Sequence, residues 1–387
     1  MNNNPFHDPS LAQRHQSARF FKWFTQACII LTLAFLFFFL FDMARKAYPA
    51  LWQTYVKVEI SYTEKSARFT QRAVDKKYRK IVSRAWLRTI PAQLEAQPEL
   101  MGTTVEQWVL ADDQVDQYMK GHHHNLKESI IQTVEELKQR DAVELNWNDI
   151  LLTRGDSKIP ENAGILSALV GSILTLFVTM AIAFPLGVMT AIYLEEFAKD
   201  STFTRFVEVN INNLAAIPSI LFGLLGLSVF INLFGLPRSS PLVGGLTLAL
   251  MTLPIIIVSA RAALRSVPAA IRQAGYGLGL TRLQVVQGHV LPIASPGIFT
   301  GSIIGLAQAM GETAPLIIIG MIAFIPEYPT SITEAATVLP AQIFTWAGMP
   351  ERAYIEKTAA GIIVILTILF ALNAAAIYLR KKYEIKW

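Results

Sequence analysis

Long apolar runs alternate with short polar connections over most of this chain, and one densely charged stretch interrupts them. A bilayer core about 30 Å thick needs about 20 apolar residues per helix. Six runs of that length, at 23–43, 165–194, 207–234, 242–260, 298–324 and 358–378, predict six transmembrane helices, the longer ones tilted or projecting beyond the bilayer. The first is preceded by about twenty polar residues and followed by Arg45 and Lys46, so it reads as an uncleaved anchor rather than a signal peptide. Between the first two runs the pattern changes. Val56, Val58, Ile60 and Tyr62 alternate with Lys57, Glu59 and Ser61, which predicts a half-buried strand. Residues 64–90, 103–120 and 124–139 read as helices, and 143–153 as a closing strand placed to pair with the first. The division is therefore an N-terminal tail and first span (1–49), an insert (50–163) and a membrane core (164–387).

Composition sharpens this picture. Hydrophobic residues make up 52% of the 387 and charged residues 16%, too apolar a balance for an ordinary soluble domain. Residues 50–163 hold 33 of the 63 charged side chains, which marks the insert as a small water-facing α+β domain on an otherwise all-α polytopic membrane protein. Placing the N-terminus in the cytoplasm puts thirteen basic residues on the inner side: Arg14, Arg19, Lys22, Lys199, Arg205, Arg261, Arg265, Arg272, Arg282, Arg380, Lys381, Lys382 and Lys386. The short outer loops keep only Arg238, Arg352 and Lys357, so both termini are expected inside and the insert in the periplasm. On this reading the basic pI reflects membrane anchoring and not nucleic-acid binding. The lone cysteine, Cys28, excludes an internal disulfide. His122, His123 and His124 could bind a metal, but adjacent histidines diverge and no Cys or carboxylate sits at ligand spacing, so a solvated loop is expected.

The stretch 261–292, between the fourth and fifth runs, is too polar to span and predicts two short helices. Pro268 suits a first turn, and Ile271, Ala274, Gly275 and Leu278 share one face. Gly279 stops that helix, and Thr281 with Gln284 has capping-box spacing for a second. The second helix carries Leu283, Val286 and Val290 inward and ends at Leu291 and Pro292.

This hairpin resembles the EAA motif of ABC importer permeases: Ala274, Gly279, Leu291 and Pro292 match, whereas Gln273, Gly275 and His289 depart from it. The stretches FPLGVMTAIYLEEF (184–197), LAAIPSILFGLLGL (214–227), LPRSSPLVGGLTLALMTLPIII (236–257), GETAPLIIIG (311–320) and LPAQIFTWAGMPE (339–351) resemble permeases of bacterial phosphate ABC importers, the PstA type in particular. The resemblance covers nearly everything after Ala163. It implies the type I importer permease fold and ATPase coupling through Gln273, Ala274, Gly275, Gly279, Leu291 and Pro292. It also implies alternating access with a second, PstC-like permease, two copies of an ATPase subunit that uses ATP-Mg, and a periplasmic phosphate-binding protein. The family's usual Arg three residues before the GETAP glycine is Gln308 here, so a role for that Arg does not transfer.

The chain has no phosphate-cradling GxxxxGK[ST] loop, no expected cofactor or metal and no expected catalytic residue. Glu312, the acidic residue placed deep in an apolar run, is the leading pathway candidate, with Gln308, one turn earlier, placed to donate to it. Thr313, Asn212, Asn213 and Ser219 are further candidates for polar lining. A permease for sulfate, molybdate or phosphonate, and a membrane sensor with an outer domain, are the alternatives.

Overall fold

The computed structural model describes residues 10–322 and 324–383; Lys386, assigned above to the inner side, lies outside them. Helix α1 (Ser10–Ala47) leads through a short turn into strand β1 (Trp52–Ser61). This is the central strand of a three-stranded antiparallel sheet of order β2-β1-β3, with β2 at Thr104–Leu110 and β3 at Val143–Trp147. Val56 pairs with Val109 and with Val143, and Trp52 with Trp147. The expected alternation holds: Val56, Val58, Ile60 and Tyr62 are buried in a core shared with helices α2 (Asp113–Met119) and α3 (Glu128–Gln139).

Elsewhere the insert corrects the helical expectation. Residues 104–110 form a strand, because β-branched and aromatic side chains suit a pleated surface and β1 offers its free edge. Helix begins only after Asp112, whose carboxylate accepts from the Gln114 N–H. The stretch 64–90 breaks into Glu64–Arg68, a turn at Thr70–Ala73, and Arg84–Leu87. Thr63 and Ser83 cap new helices there, and Val74 and Val82 are drawn into bridges with Ile60 and Ala111. In the segment expected as a closing strand, pairing stops at Trp147. The Asn148 side chain then donates to the Ala50 carbonyl and accepts from the Leu151 N–H, starting a helical turn at Ile150–Thr153.

Among the described residues, five helices are long and apolar enough to cross a membrane, and a bent pair makes six if it is one span. The long ones are α1, α4 (Leu166–Ile192, continued by a π turn at Tyr193–Phe197), α7 (Pro241–Arg265), α10 (Leu291–Gly311) and α13 (Ala353–Tyr383). The third expected span is not one helix. α5 (Thr202–Ala215) and α6 (Ser219–Leu225, running on in π geometry to Leu233) meet at 105° across Ala216, Ile217 and Pro218. Pro218 disfavours helical backbone at Ile217, which is why the break falls there. The fifth run is also divided: α10 stops at Gly311, Glu312 is extended (φ −76°, ψ 126°), and a short helix α11 (Ala314–Ile318) follows with Pro315 in its first turn.

Helix α7 is the best buried of the membrane set and packs between α4 and α10. Close approach is bought by small residues: a Cβ on Gly245 would come within 2.5 Å of the Val178 side chain, and one on Gly187 within 2.7 Å of Ile256. A further helix, α12 (Leu339–Ala347), seats the buried Trp346 against Tyr354 of α13.

Candidate functional site

The predicted hairpin forms between α7 and α10 as α8 (Ala269–Gly277) and α9 (Arg282–Val285). Gly279 has φ +80° with open space around its Cβ position, so glycine is needed there for backbone conformation and not for room. The Leu280 N–H returns to the Gly275 carbonyl, and the Thr281–Gln284 capping box is present in both directions. Gly275 is needed for room: a Cβ would approach Val285 to 2.7 Å, so the departure from the family's Ala lets the two helices close on each other.

The inward face differs from expectation. Gly275, Val285, Val286 and Val290 are buried, whereas Ala274 is exposed, Leu278 is 79% exposed and Leu283 53%. Helix α8 ends at Gly277, so Leu278 leaves the helical phase that would have turned it inward. Helix α9 is a single turn whose continuation is a π turn (Val286–Val290), and the extra residue per turn places Val285 where Leu283 was expected. Leu291 and Pro292 do not end this helix. They open α10, and the π turn absorbs the hydrogen bond that Pro292 cannot donate. His289 and Gln273 are exposed.

An acid–base network that the sequence reading missed pins the base of the hairpin. Arg272 meets Glu196 at 2.5 Å and donates to the carbonyls of Val267 and Leu264, at 2.8 and 2.9 Å. Arg265 pairs with Glu195 at 2.8 Å, and Arg261 bridges Glu195 and Glu208. The signal was present as adjacent Glu195 and Glu196 opposite arginines four residues apart, but only folding sets these segments side by side.

Among the pathway candidates, Glu312 and Thr313 are half-buried at the break between α10 and α11. The break falls at Glu312 itself, not within a continuous fifth helix. Helix α11 packs on α6, where a Cβ on Gly223 would lie 2.7 Å from the Pro315 Cα, so the Ser219 end of α6 is brought toward the Thr313 end of α11. No hydrogen bond joins Gln308 to Glu312 among the described residues; Gln308, Asn212 and Asn213 are exposed on this single chain.

A second polar centre lies where the insert meets the start of α13. Glu356 accepts from Gln117 Nε2 at 2.8 Å, pairs with Lys120 at 3.1 Å and lies 2.8 Å from His122 Nδ1. Lys120 also meets Asp116 at 2.6 Å, and Asp116 accepts from both the N–H and the hydroxyl of Thr54 in β1. The solvated histidine loop is thus corrected for His122. His124 packs edge-on against Tyr118 and His123 is exposed, so the three rings do diverge, and no metal-binding group occurs among the described residues. Alongside, Glu161 accepts from the Ser83 hydroxyl, yet burial raises it to about 7; burial likewise raises Asp156 to about 6 despite the Trp346 indole N–H at 2.8 Å. Among the described residues Gln53 Nε2 and Glu161 Oε2 have no hydrogen-bond partner, and both residues line a small cavity of about 10 Å³.

Residues 183–385 match the family described as binding-protein-dependent transport system inner membrane component, and 8–69 and 62–128 match a domain of unknown function, DUF3333. A probable ABC transporter permease protein, YqgI, of Bacillus subtilis is 31% identical over 58% of this chain and 80% of its own length. The phosphate transport system permease protein PstA 1 of Mycobacterium tuberculosis is 31% identical over 57% of this chain and 73% of its own. A structure of the MetNI methionine ABC transporter in inward-facing conformations aligns with 57% of this chain and 94% of its own, at 17% identity and a TM-score of 0.44.

Proposed function

We propose that this chain, which belongs to the family of binding-protein-dependent transport system inner membrane components, is the PstA-type permease subunit of an ATP-driven inorganic phosphate importer. The observation that carries the reading is the hairpin: a Gly-hinged helix pair, fixed at its base by Arg272 on Glu196, that presents Tyr276, Leu278 and Leu283 to solvent. An exposed apolar tip on a rigid base is what a cytoplasmic ATPase needs in order to pull on α7 and α10 together, and the family supplies that ATPase as a separate subunit using ATP-Mg. This chain is not the enzyme.

On this reading a second, PstC-like permease covers the exposed face that carries Gln308, Asn212 and Asn213, and the two chains enclose the pathway. Two ATPase copies hold the two hairpins, and a periplasmic binding protein delivers phosphate. Both termini lie on the inner side of a bacterial inner membrane, with residues 50–163 as a periplasmic domain. Thr313, Ser219 and the carboxyl of Glu312 line the region where α10 and α6 are broken, since backbone freed from helical hydrogen bonding at membrane depth is tolerated only beside protein or water. Glu312 repels an anion, so its part is to pair with a basic side chain of the partner permease and release it as the gate moves.

The test is reconstitution of the full complex in vesicles with ATP inside and labelled phosphate outside, with sulfate and molybdate in parallel. ATP-dependent accumulation of phosphate alone supports the assignment. Accumulation of another oxyanion instead redirects it, and ATP hydrolysis indifferent to every outer anion would sink it.

A further inference from the structure

Within the insert, positive charge is gathered in one segment to which the transport cycle proposed above assigns no role. Residues 65–84 carry eight Lys and Arg against one acid, Asp75, a net of +7 in an insert (50–163) whose 16 basic and 17 acidic side chains sum to −1, so the rest of the insert is acidic. Folding does not disperse this charge. The turn after Val74 and the start of α3 form the two walls of a groove of about 550 Å³ lined by Lys76, Lys77, Arg79, Lys80, Arg84 and Lys127, with the Ser129 hydroxyl at its edge. Lys77 is neutralised by Glu136 at 2.5 Å, and Arg79 donates to the Val74 carbonyl. Among the described residues no carboxylate comes within 4.0 Å of Lys76, Lys80, Arg84 or Lys127. Asp75 is occupied as the acceptor for the Lys77 N–H, and none of the residues that line the groove is acidic. Four cations held around one concavity repel each other, and concave walls concentrate the field they share.

We infer that this groove is a binding site for a soluble polyanion with two or more phosphoryl groups, such as a linear oligophosphate. One orthophosphate would neutralise two of the four free cations and fill a small part of the volume, whereas a chain of phosphoryl groups can meet Lys80 and Arg84 on one wall and Lys127 on the other. The groove is also far from the membrane root of the insert. That root is marked by Tyr48, Trp52 and Trp147, whose rings stack edge to face at 6.5 and 6.2 Å as residues of an interfacial belt do. Val74, where the basic turn begins, bridges Ile60, eight residues along β1 from Trp52, or about 26 Å at about 3.3 Å per residue. A lipid headgroup shares the phosphoryl chemistry but not this position. The site stands whether or not phosphate is the transported anion, because it is defined by binding alone.

The full-length chain in nanodiscs of neutral lipid, titrated calorimetrically with tripolyphosphate, orthophosphate and sulfate at matched ionic strength, tests this. Tripolyphosphate is expected to bind at least about tenfold more tightly than orthophosphate, and the double substitution Lys80→Gln, Arg84→Gln to weaken it about tenfold, since each removes one or more charge-assisted hydrogen bonds. Lys80→Arg, Arg84→Lys should retain most of the affinity, and an unchanged melting temperature would show the variants folded. Equal affinity for the three anions overturns the proposal, as does tripolyphosphate binding that the double substitution leaves intact. Association of the chain with phosphatidylglycerol vesicles, lost in the same variant and without tripolyphosphate binding, overturns it in favour of lipid.

Discussion

His122 Nδ1 stands 2.8 Å from Glu356 Oε1, a contact across 234 residues of sequence that ties the insert to the first turn of the last membrane helix. Glu356 is almost wholly buried and also holds Gln117 and Lys120, so one carboxylate gathers three side chains of the insert onto α13. The insert and α13 therefore behave as one body at this point, and whatever moves α13 moves the insert.

Removing that carboxylate charge leaves Lys120 buried against Asp116 alone. Glu356→Gln should lower stability by about 3–5 kcal/mol, in the range for breaking a buried pair. His122 is 36% exposed, so His122→Ala should cost under about 1 kcal/mol. Thermal unfolding of the solubilised chain compares the two, and equal losses would show that Glu356 is not the centre of the clamp.

Glu161 and Asp156 give the junction an acid-side preference. Burial raises Glu161 from 4.5 to about 7 and Asp156 from 3.8 to about 6, so the folded chain binds more protons than the unfolded one in those windows. Stability from these groups is greatest below about pH 4 and falls as pH rises to about 7. Glu161→Gln keeps an acceptor for Ser83 and should flatten the decline between about pH 5 and 7. Melting temperature against pH is the readout; a variant with the parental slope would assign the decline elsewhere.

The two hairpin glycines should answer differently to substitution. At Gly279 the constraint is φ +80°, so Gly279→Val should cost about 1–2 kcal/mol and impair coupling while Gly279→Asn is tolerated. At Gly275 the constraint is Val285, so even Gly275→Ala should open the hairpin, and Val285→Ala should restore it. Phosphate-stimulated ATPase activity of the reconstituted complex separates these cases. Full activity of Gly279→Val would remove the hinge assignment.

Glu312→Gln preserves shape at the break between α10 and α11 and removes the charge. If the carboxylate pairs with the partner permease, the complex should still assemble while phosphate uptake falls at least about tenfold, the scale of one lost charge-assisted contact. Normal uptake would leave Glu312 a structural role only.

The sequence by itself determined the features whose causes are local. Apolar runs of bilayer length mark the membrane helices, period-2 alternation marks β1, and Gly279, Thr281 and Gln284 mark the hairpin, because each signal is a backbone or hydrophobic preference acting over a few residues. Tertiary structure decided everything that needs a partner from far along the chain. Residues 104–110 have a strand's composition, yet they pair only because β1 lies beside them. Leu278 and Leu283 are apolar at helical spacing but turn outward, because helix end and π turn shift the phase. Glu196 finds Arg272, and Glu356 finds Lys120 and His122, only after folding. A charged residue flanking an apolar run looks the same in sequence whether it anchors to water or to a buried counter-charge; the difference is the dielectric and the neighbour that the fold supplies.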